Sequence, residues 1–401
     1  MERGRAGVAM TFRRLLFWLH LVTGLTVGLV VAFLAITGSI MAFQAQMIDW
    51  AERDFRISSP QEQPCVAVST VLEKAADFEH GEPMSLTLYS DRSRPAEVAF
   101  GGSGVVLMNG CDASVIGHGA NGLRRFFDAT RDLHRWVALN GVRHETLRHI
   151  KNGAVVAFLF LLLSGLVIWF PRKMTWQHLR PAVWFRSDLK GRAREWNWHN
   201  VFGFWMSLPL IAIALSGIIM AYPWANAMLF RMAGDTPPPE RVEANGKRPK
   251  PLGLDQFGTL DAAIEKAVAQ DSKWKVIAMR LPAAKDPNVT FSIDESGGSR
   301  PQFRGQLVIS RKTGEVVRWE QFSQFTRGRR WRVYARFLHT GEAFGILGRS
   351  VALLAMLSAL MLVWTGVSLS LRRFASWRKR RSAYRERLTQ EKTESPQIVN
   401  V

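Results

Sequence analysis

Apolar residues along this chain gather into four long runs, Leu15 to Phe43, Ile150 to Phe170, Val201 to Tyr222 and Ile346 to Leu371. Each reaches the roughly 20 residues that a helix needs to cross a bilayer, with almost no charge inside it. The pattern predicts four transmembrane helices, over 15–43, 150–170, 199–222 and 346–371. Arg13 and Arg14 precede the first run as they would a signal peptide. Its apolar core is far longer than an h-region of about 7–15 residues, and no small-x-small cleavage site follows, so it reads as an anchor that stays.

The segments between these runs change period. Ser69 to Phe78 and Leu260 to Gln270 read as short helices, each followed by β-prone stretches broken by Gly, Asp and Pro. In 44–149 these are Met84–Tyr89, Ala96–Phe100, Val105–Met108 and Ala113–Ile116. In 223–345 they are Trp274–Arg280, Val289–Ile293, Gln302–Ile309 and Glu315–Trp319. The expectation is a four-helix transmembrane bundle carrying two small α+β modules, each a helix on an antiparallel sheet. Thr236–Pro239, continuing through Lys247 to Pro251, reads as a linker.

Composition alone leaves the class open, since 47% hydrophobic residues in 401 would also suit two soluble domains. Charge adds an orientation. The segment 1–14, the loop 171–198 with seven basic and two acidic residues, and the tail 372–401 with nine basic and three acidic hold most of the net charge of +20. By the positive-inside rule these face the cytoplasm, both termini included, and 44–149 and 223–345 lie outside. Anionic lipid head groups account for the basic flanks, and no nucleic-acid-binding motif accompanies them. The two cysteines, Cys65 and Cys111, both fall in 44–149, a compartment that favours a disulfide over two free thiols.

Self-comparison adds the most. A shift of 179 residues lays His20-Leu-Val-Thr-Gly24 on His199-Asn-Val-Phe-Gly203, and Thr37-Gly38-Ser-Ile40-Met41 on Ser216-Gly217-Ile-Ile219-Met220. A shift of 205 lays Arg131-Asp-Leu133-His134 on Arg336-Phe-Leu338-His339, each just before the next apolar run. Those runs end alike, in Ser164-Gly165 before Arg172 and Lys173, and in Thr365-Gly366 before Arg372 and Arg373. Each half therefore reads helix, outer module, histidine, helix.

Imidazoles inside a bilayer need a partner such as a metal, a side chain or a carbonyl. His20 and His199 stand at equivalent inner positions, and His134 and His339 at equivalent outer ones. Haem iron accepts two axial imidazoles and buries its macrocycle between apolar helices. Two haems, one held by His20 and His199 and one by His134 and His339, account for the set, with Gly24 and Gly203 giving the macrocycle clearance. Zinc wants about four ligands, and neither helix offers a second one nearby. His149 has no counterpart in the second half and is the reserve for His134. Haem propionates need cations, for which Arg131, Arg135 and Arg336 are candidates, along with Arg124, Arg125, Arg327, Arg329, Arg330 and Arg332; contact with lipid head groups is the competing reading. A lone histidine at a helix end is ordinarily an interfacial anchor or a hydrogen-bonded core residue, and it is the duplication that turns the reading toward ligation. His80, His118, His144 and His178 read as surface residues.

Several motifs together resemble the PepSY-associated transmembrane proteins over nearly the whole chain. They are Leu19-His20-x3-Gly24 ending in Thr37-Gly38, Asp132-Leu133-His134-Arg135-Trp136, Ser164-Gly165-Leu-x-x-Trp169-x-Pro171-Arg172, Trp198-His199-Asn200-x2-Gly203-Phe204-Trp205 and Leu338-His339-Thr340-Gly341. Trp169-Phe170-Pro171 departs from the Trp-Trp-Pro of that pattern. The resemblance implies PepSY-like periplasmic modules over 44–149 and 223–345 of an inner-membrane protein. One branch of that family is similar in layout, with four helices and two b-type haems, and reduces ferric siderophores.

The expected function is a one-electron path across the membrane. Electrons would enter from a cytoplasmic donor or the quinol pool and reduce ferric iron held by a siderophore in the periplasm. Hard oxygen donors hold ferrous iron less tightly than ferric, so the chelator lets go. No Gly-x-Gly-x-x-Gly follows a strand, which makes the donor a separate molecule. Two rival readings are a haem-free PepSY protein that binds a ligand or restrains a protease, and a di-haem reductase with another acceptor.

Overall fold

The computed structural model describes residues 2–58, 65–101, 104–135, 142–171, 175–239, 252–297 and 300–394. Trp136, Arg172, Lys173 and the linker positions Lys247 to Pro251 lie outside the described residues, as do the side chains of His144 and His178. Contacts divide the chain into two compact units.

The first unit comprises Met1–Ser39, Thr146–Leu215 and Leu353–Val401. Its helices belong to α1 (Glu2–Met41), α5 (Val142–Trp169), α7 (Gly191–Ala221) and α11 (Gly345–Glu394). These four are long and apolar enough to cross a membrane. They overrun the predicted spans, since α7 starts at Gly191 and α11 continues to Glu394 with no Gly or Pro between Gly366 and that residue. Small residues let the helices approach: Ala35, Ala214, Ala355 and Ala359 are buried together with Leu162 and Leu210. In a bilayer such close packing replaces the hydrophobic drive that lipid removes.

A short helix that the sequence did not predict, α6 (Trp176–Val183), is fastened to this bundle by side chains. Asn197, fully buried, donates to the carbonyls of Pro181 and Trp184 at 2.7 and 3.0 Å and accepts from the Arg186 N–H. The Trp205 indole donates to Val183. Trp176, Trp184, Trp196 and Trp205 remain exposed, as interfacial aromatic residues are.

The second unit comprises Ile40–Glu145 and Ser216–Ala352. It contains α2 (Gln44–Ala51), α3 (Val68–Glu79), strands β1 (Pro83–Tyr89), β2 (Ala96–Phe100), β3 (Gly104–Met108) and β4 (Val115–Gly117), and α4 (Asn121–Arg135). The other half supplies α8 (Pro223–Met232), α9 (Asp261–Gln270), β5 (Val276–Arg280), β6 (Asn288–Asp294), β7 (Arg304–Ser310), β8 (Val316–Gln321) and α10 (Arg327–His339). Cys65 and Cys111 are joined in a disulfide.

The predicted strands fall within a few residues of these, but they do not build two separate sheets. All eight form one antiparallel sheet in the order β4-β3-β2-β1-β5-β6-β7-β8. The join is β1 against β5, where Leu86, 1% exposed, pairs with Val98 on one side and Met279 on the other. Separate modules would leave β1 and β5 as open edges, whose unpaired N–H and C=O groups pairing satisfies. Alternation puts Val289, Phe291 and Ile293, and Leu307 and Ile309, into a core shared with Val71, Leu72 and Ala75 of α3 and Ala263, Ile264 and Ala267 of α9. The halves are stitched again where Asp261 accepts from the Ser69 N–H and hydroxyl at 2.8 and 2.7 Å.

Candidate functional site: two histidine pairs

In the first unit, His20 Nδ1 lies 2.9 Å from Ser164 Oγ, and His199 Nδ1 lies 2.8 Å from Thr365 Oγ1. Ser164 and Thr365 are repeat equivalents, so each half builds the same contact from its own pair of helices. The hydroxyls also donate within their helices, Ser164 to Leu161 O at 3.2 Å and Thr365 to Met361 O at 2.6 Å. A hydroxyl has one hydrogen to give. When that hydrogen goes to the carbonyl, the oxygen is left to accept and the imidazole donates through Nδ1–H. That tautomer places the lone pair on Nε2, the state in which histidine ligates a metal.

Glycines next to these hydroxyls receive the rings. A Cβ on Gly165 would stand 3.3 Å from His20 Cε1, and one on Gly366 3.6 Å from His199 Cε1. Gly24 and Gly203 face Leu161 and Leu362, at 3.8 and 3.6 Å for an added Cβ, and so serve the approach of neighbouring helices. At this end Glu195, 4% exposed, accepts a two-pronged ion pair from Arg372 at 2.9 and 3.1 Å and a bond from Ser368.

In the second unit, α4 and α10 carry His134 and His339 in their last turns, with ring centroids 6.3 Å apart and planes at 64°. His134 and His339 are the residues that would hold an iron centre here, supplying two imidazoles to it. Both helices are firmly fastened. The Asn121 amide opens α4 by pairing with both the N–H and the C=O of Val105 at 2.9 and 3.0 Å. Arg124 forms a bidentate bond to Glu52 at 2.8 and 2.6 Å and reaches Glu97 at 3.2 Å. On α10, Gly328 N–H donates to Asp235, and Arg329 pairs with Glu320 at 2.6 Å. Ser216 Oγ lies 3.3 Å from His339 Nδ1. After His339 the chain reverses at Gly341, with φ +75, where a side chain would run into the backbone of Gly348 and Arg349.

Several of the candidate arginines have carboxylate partners. Arg124 and Arg329 are committed to carboxylates, and Arg131 pairs with Asp128. Arg135 and Arg336 are exposed. Arg336 lies one turn before His339 and packs over Phe337. Burial first, and the Arg336 charge second, pull Arg332 below its usual value, so this face of α10 is rich in cation. His149 is exposed at the start of α5 and belongs to the first unit. His118 pairs with Glu79 and packs on Phe78.

Among the described residues no three His, Cys, Asp or Glu side chains converge. Paired imidazoles without further protein ligands suit an iron whose other ligands come from a porphyrin, and not a zinc site that takes about four. Sequence reasoning missed Ser164, Thr365 and Ser216; the available signal was a hydroxyl recurring at repeat-equivalent places in apolar helices.

Comparison with curated proteins finds no match. The sequence pattern described as the PepSY-associated TM region matches residues 17–373, which takes in all four apolar helices and the four paired histidines. On a match of that extent, the chain belongs to the PepSY-associated TM family.

Proposed function

We propose that this protein is a di-haem reductase of ferric siderophores in the bacterial inner membrane. His20 and His199 hold one haem b, and His134 and His339 the other. The observation that carries the reading is the pair of imidazoles held at Nδ1 by repeat-equivalent hydroxyls, an arrangement that leaves Nε2 for a metal. The approach of His134 to His339 in the second unit is consistent with it. Bound at these places, two haems would supply one-electron transfer across the membrane, ending on chelated ferric iron, whose oxygen ligands relax their hold on reduction.

The chain's own residues hold and orient. Ser164 and Thr365 fix two ligand tautomers, the Asn121 and Arg124 contacts set the helix that carries His134, and Gly341 sets the turn after His339. Arg135, Arg332 and Arg336 meet anionic groups, the haem propionates or an acidic chelate. Basic segments at both termini and in 171–198 orient the chain with those parts in the cytoplasm, against anionic lipid. The electron donor is a separate cytoplasmic molecule or quinol.

The test is an absorption spectrum of the purified protein with haem quantification, followed by reoxidation of the dithionite-reduced protein by ferric siderophores. Two haems per chain with six-coordinate b-type bands, and prompt reoxidation, are expected. A protein without a Soret band refutes the haem reading. A di-haem protein that no ferric siderophore reoxidises refutes the reductase assignment alone.

A further inference from the structure

We infer that Ser164 and Thr365 are positioning residues that select the Nδ1–H tautomer of His20 and His199 and set the donor strength of both nitrogens that would face iron. The inference rests on the haem reading for its consequence, but its geometry stands without it.

Serine and threonine in transmembrane helices commonly turn their hydroxyls back to a carbonyl one turn earlier. Ser39, Ser358 and Ser370 do this, at 2.8, 2.7 and 2.7 Å. Ser164 and Thr365 make the same bond and in addition meet an imidazole on a neighbouring helix at 2.9 and 2.8 Å. Both sit at the same place in the repeat and both are followed by the glycine on which the ring rests. A hydroxyl that donates while it accepts is polarised, which strengthens the bond from Nδ1–H. Away from water these hydroxyls hold each imidazole in one direction, with the Leu362 carbonyl a second acceptor beside His199.

The acceptor's chemistry sets the consequence. A neutral hydroxyl draws less on the Nδ1 proton than a carboxylate would, and leaves the imidazole a moderate donor through Nε2. Removing the hydroxyl leaves a weaker donor still, which disfavours the ferric state. Only the haem held by His20 and His199 should respond.

The variants are Ser164→Ala, Thr365→Val and their double, with Ser164→Thr and Thr365→Ser as conservative controls in full-length protein. Redox titration should show the potential of one haem moving upward in each single variant and further in the double, with an altered low-spin ferric EPR signal. The conservative controls should restore wild-type values, and the second haem should not move. A double variant with both potentials and both EPR signals unchanged overturns the inference. Nitrogen-15 NMR of histidine-labelled, haem-free protein reads the tautomer directly. An Nε2–H tautomer at His20 and His199 in the wild type also overturns it. A wild type that binds no haem yet shows Nδ1–H at both, lost in the variants, supports the positioning role while removing the haem reading.

Discussion

Arg124→Met tests whether the helix carrying His134 is set by a buried ion network. The guanidinium gives two bonds to Glu52 and one to Glu97, and the side chains concerned are 17%, 11% and 18% exposed. Glu52 also accepts from the Ala120 N–H at 3.0 Å, and Glu97 from the Tyr89 hydroxyl at 2.7 Å. Methionine keeps the length and the apolar stem but leaves two carboxylates facing one another in a half-dry place. Removing one partner of a buried pair costs about 3–5 kcal/mol. With some solvent screening at each group, the lower end, about 3 kcal/mol, is appropriate. For a unit of this size that lowers the melting temperature by roughly 6–12 °C. Thermal unfolding of the full protein, followed by near-UV circular dichroism, measures it. Because the loss arises from stranded charge, Arg124→Met combined with Glu52→Gln and Glu97→Gln should recover most of it. A triple variant as unstable as the single one, or a single variant that melts like wild type, refutes the reasoning. The second outcome would return Arg124 to the group of arginines free to meet an external anion.

Other expectations are as specific. His20→Ala and His199→Ala should each lose the same one haem, and His134→Ala and His339→Ala the other; loss of different haems within a pair, counted by pyridine haemochrome, breaks the pairing. Arg372→Leu strands the buried Glu195 and should cost roughly 2–3 kcal/mol, whereas Glu195→Gln leaves a half-exposed arginine and should cost under about 1 kcal/mol, a difference readable as melting temperature. Gly341→Ala meets both a left-handed φ and the Gly348 backbone, so it should cost more than the roughly 1–2 kcal/mol of the conformation alone and deplete the His134/His339 haem first. The Ser114 hydroxyl and N–H hold Asp112 below its ordinary 3.8. Its contribution is therefore present above that value and lost as pH falls through the lowered one, and Asp112→Asn should flatten that part of a melting-temperature profile against pH.

The four helices were legible because a bilayer admits few solutions for twenty apolar residues, and the repeat-equivalent positions of the histidines because the chain repeats itself. Strands such as Ala96–Phe100 showed in their alternation. The pairing of β1 with β5 did not, since nothing in Met84–Tyr89 or Val276–Arg280 names a partner some two hundred residues away; register is a property of two strands together. Arg124 misled for the same reason. An arginine near a membrane looks alike whether it awaits a propionate or already holds Glu52, which lies far off in sequence.

The hydroxyls show how the repeat works at a finer level than the histidine count. His20 meets Ser164 within the first half and His199 meets Thr365 within the second, so each half sets one imidazole alone. In the proposed function the ligands meet only across halves, as the two halves of the sheet do at Leu86 and Met279. A half-chain would thus carry a correctly set imidazole with no opposite ligand and a sheet with an open edge at β1 or β5. Its instability would come first from that edge, because exposed strand backbone invites aggregation whether or not haem is present. Expressed alone, residues 1–190 should therefore aggregate in haem-replete and haem-depleted cells alike, and co-expression with 191–401 should rescue solubility in detergent even when haem synthesis is blocked. Rescue that depends on haem would place the cofactor, and not the β1–β5 join, as the bond between the halves.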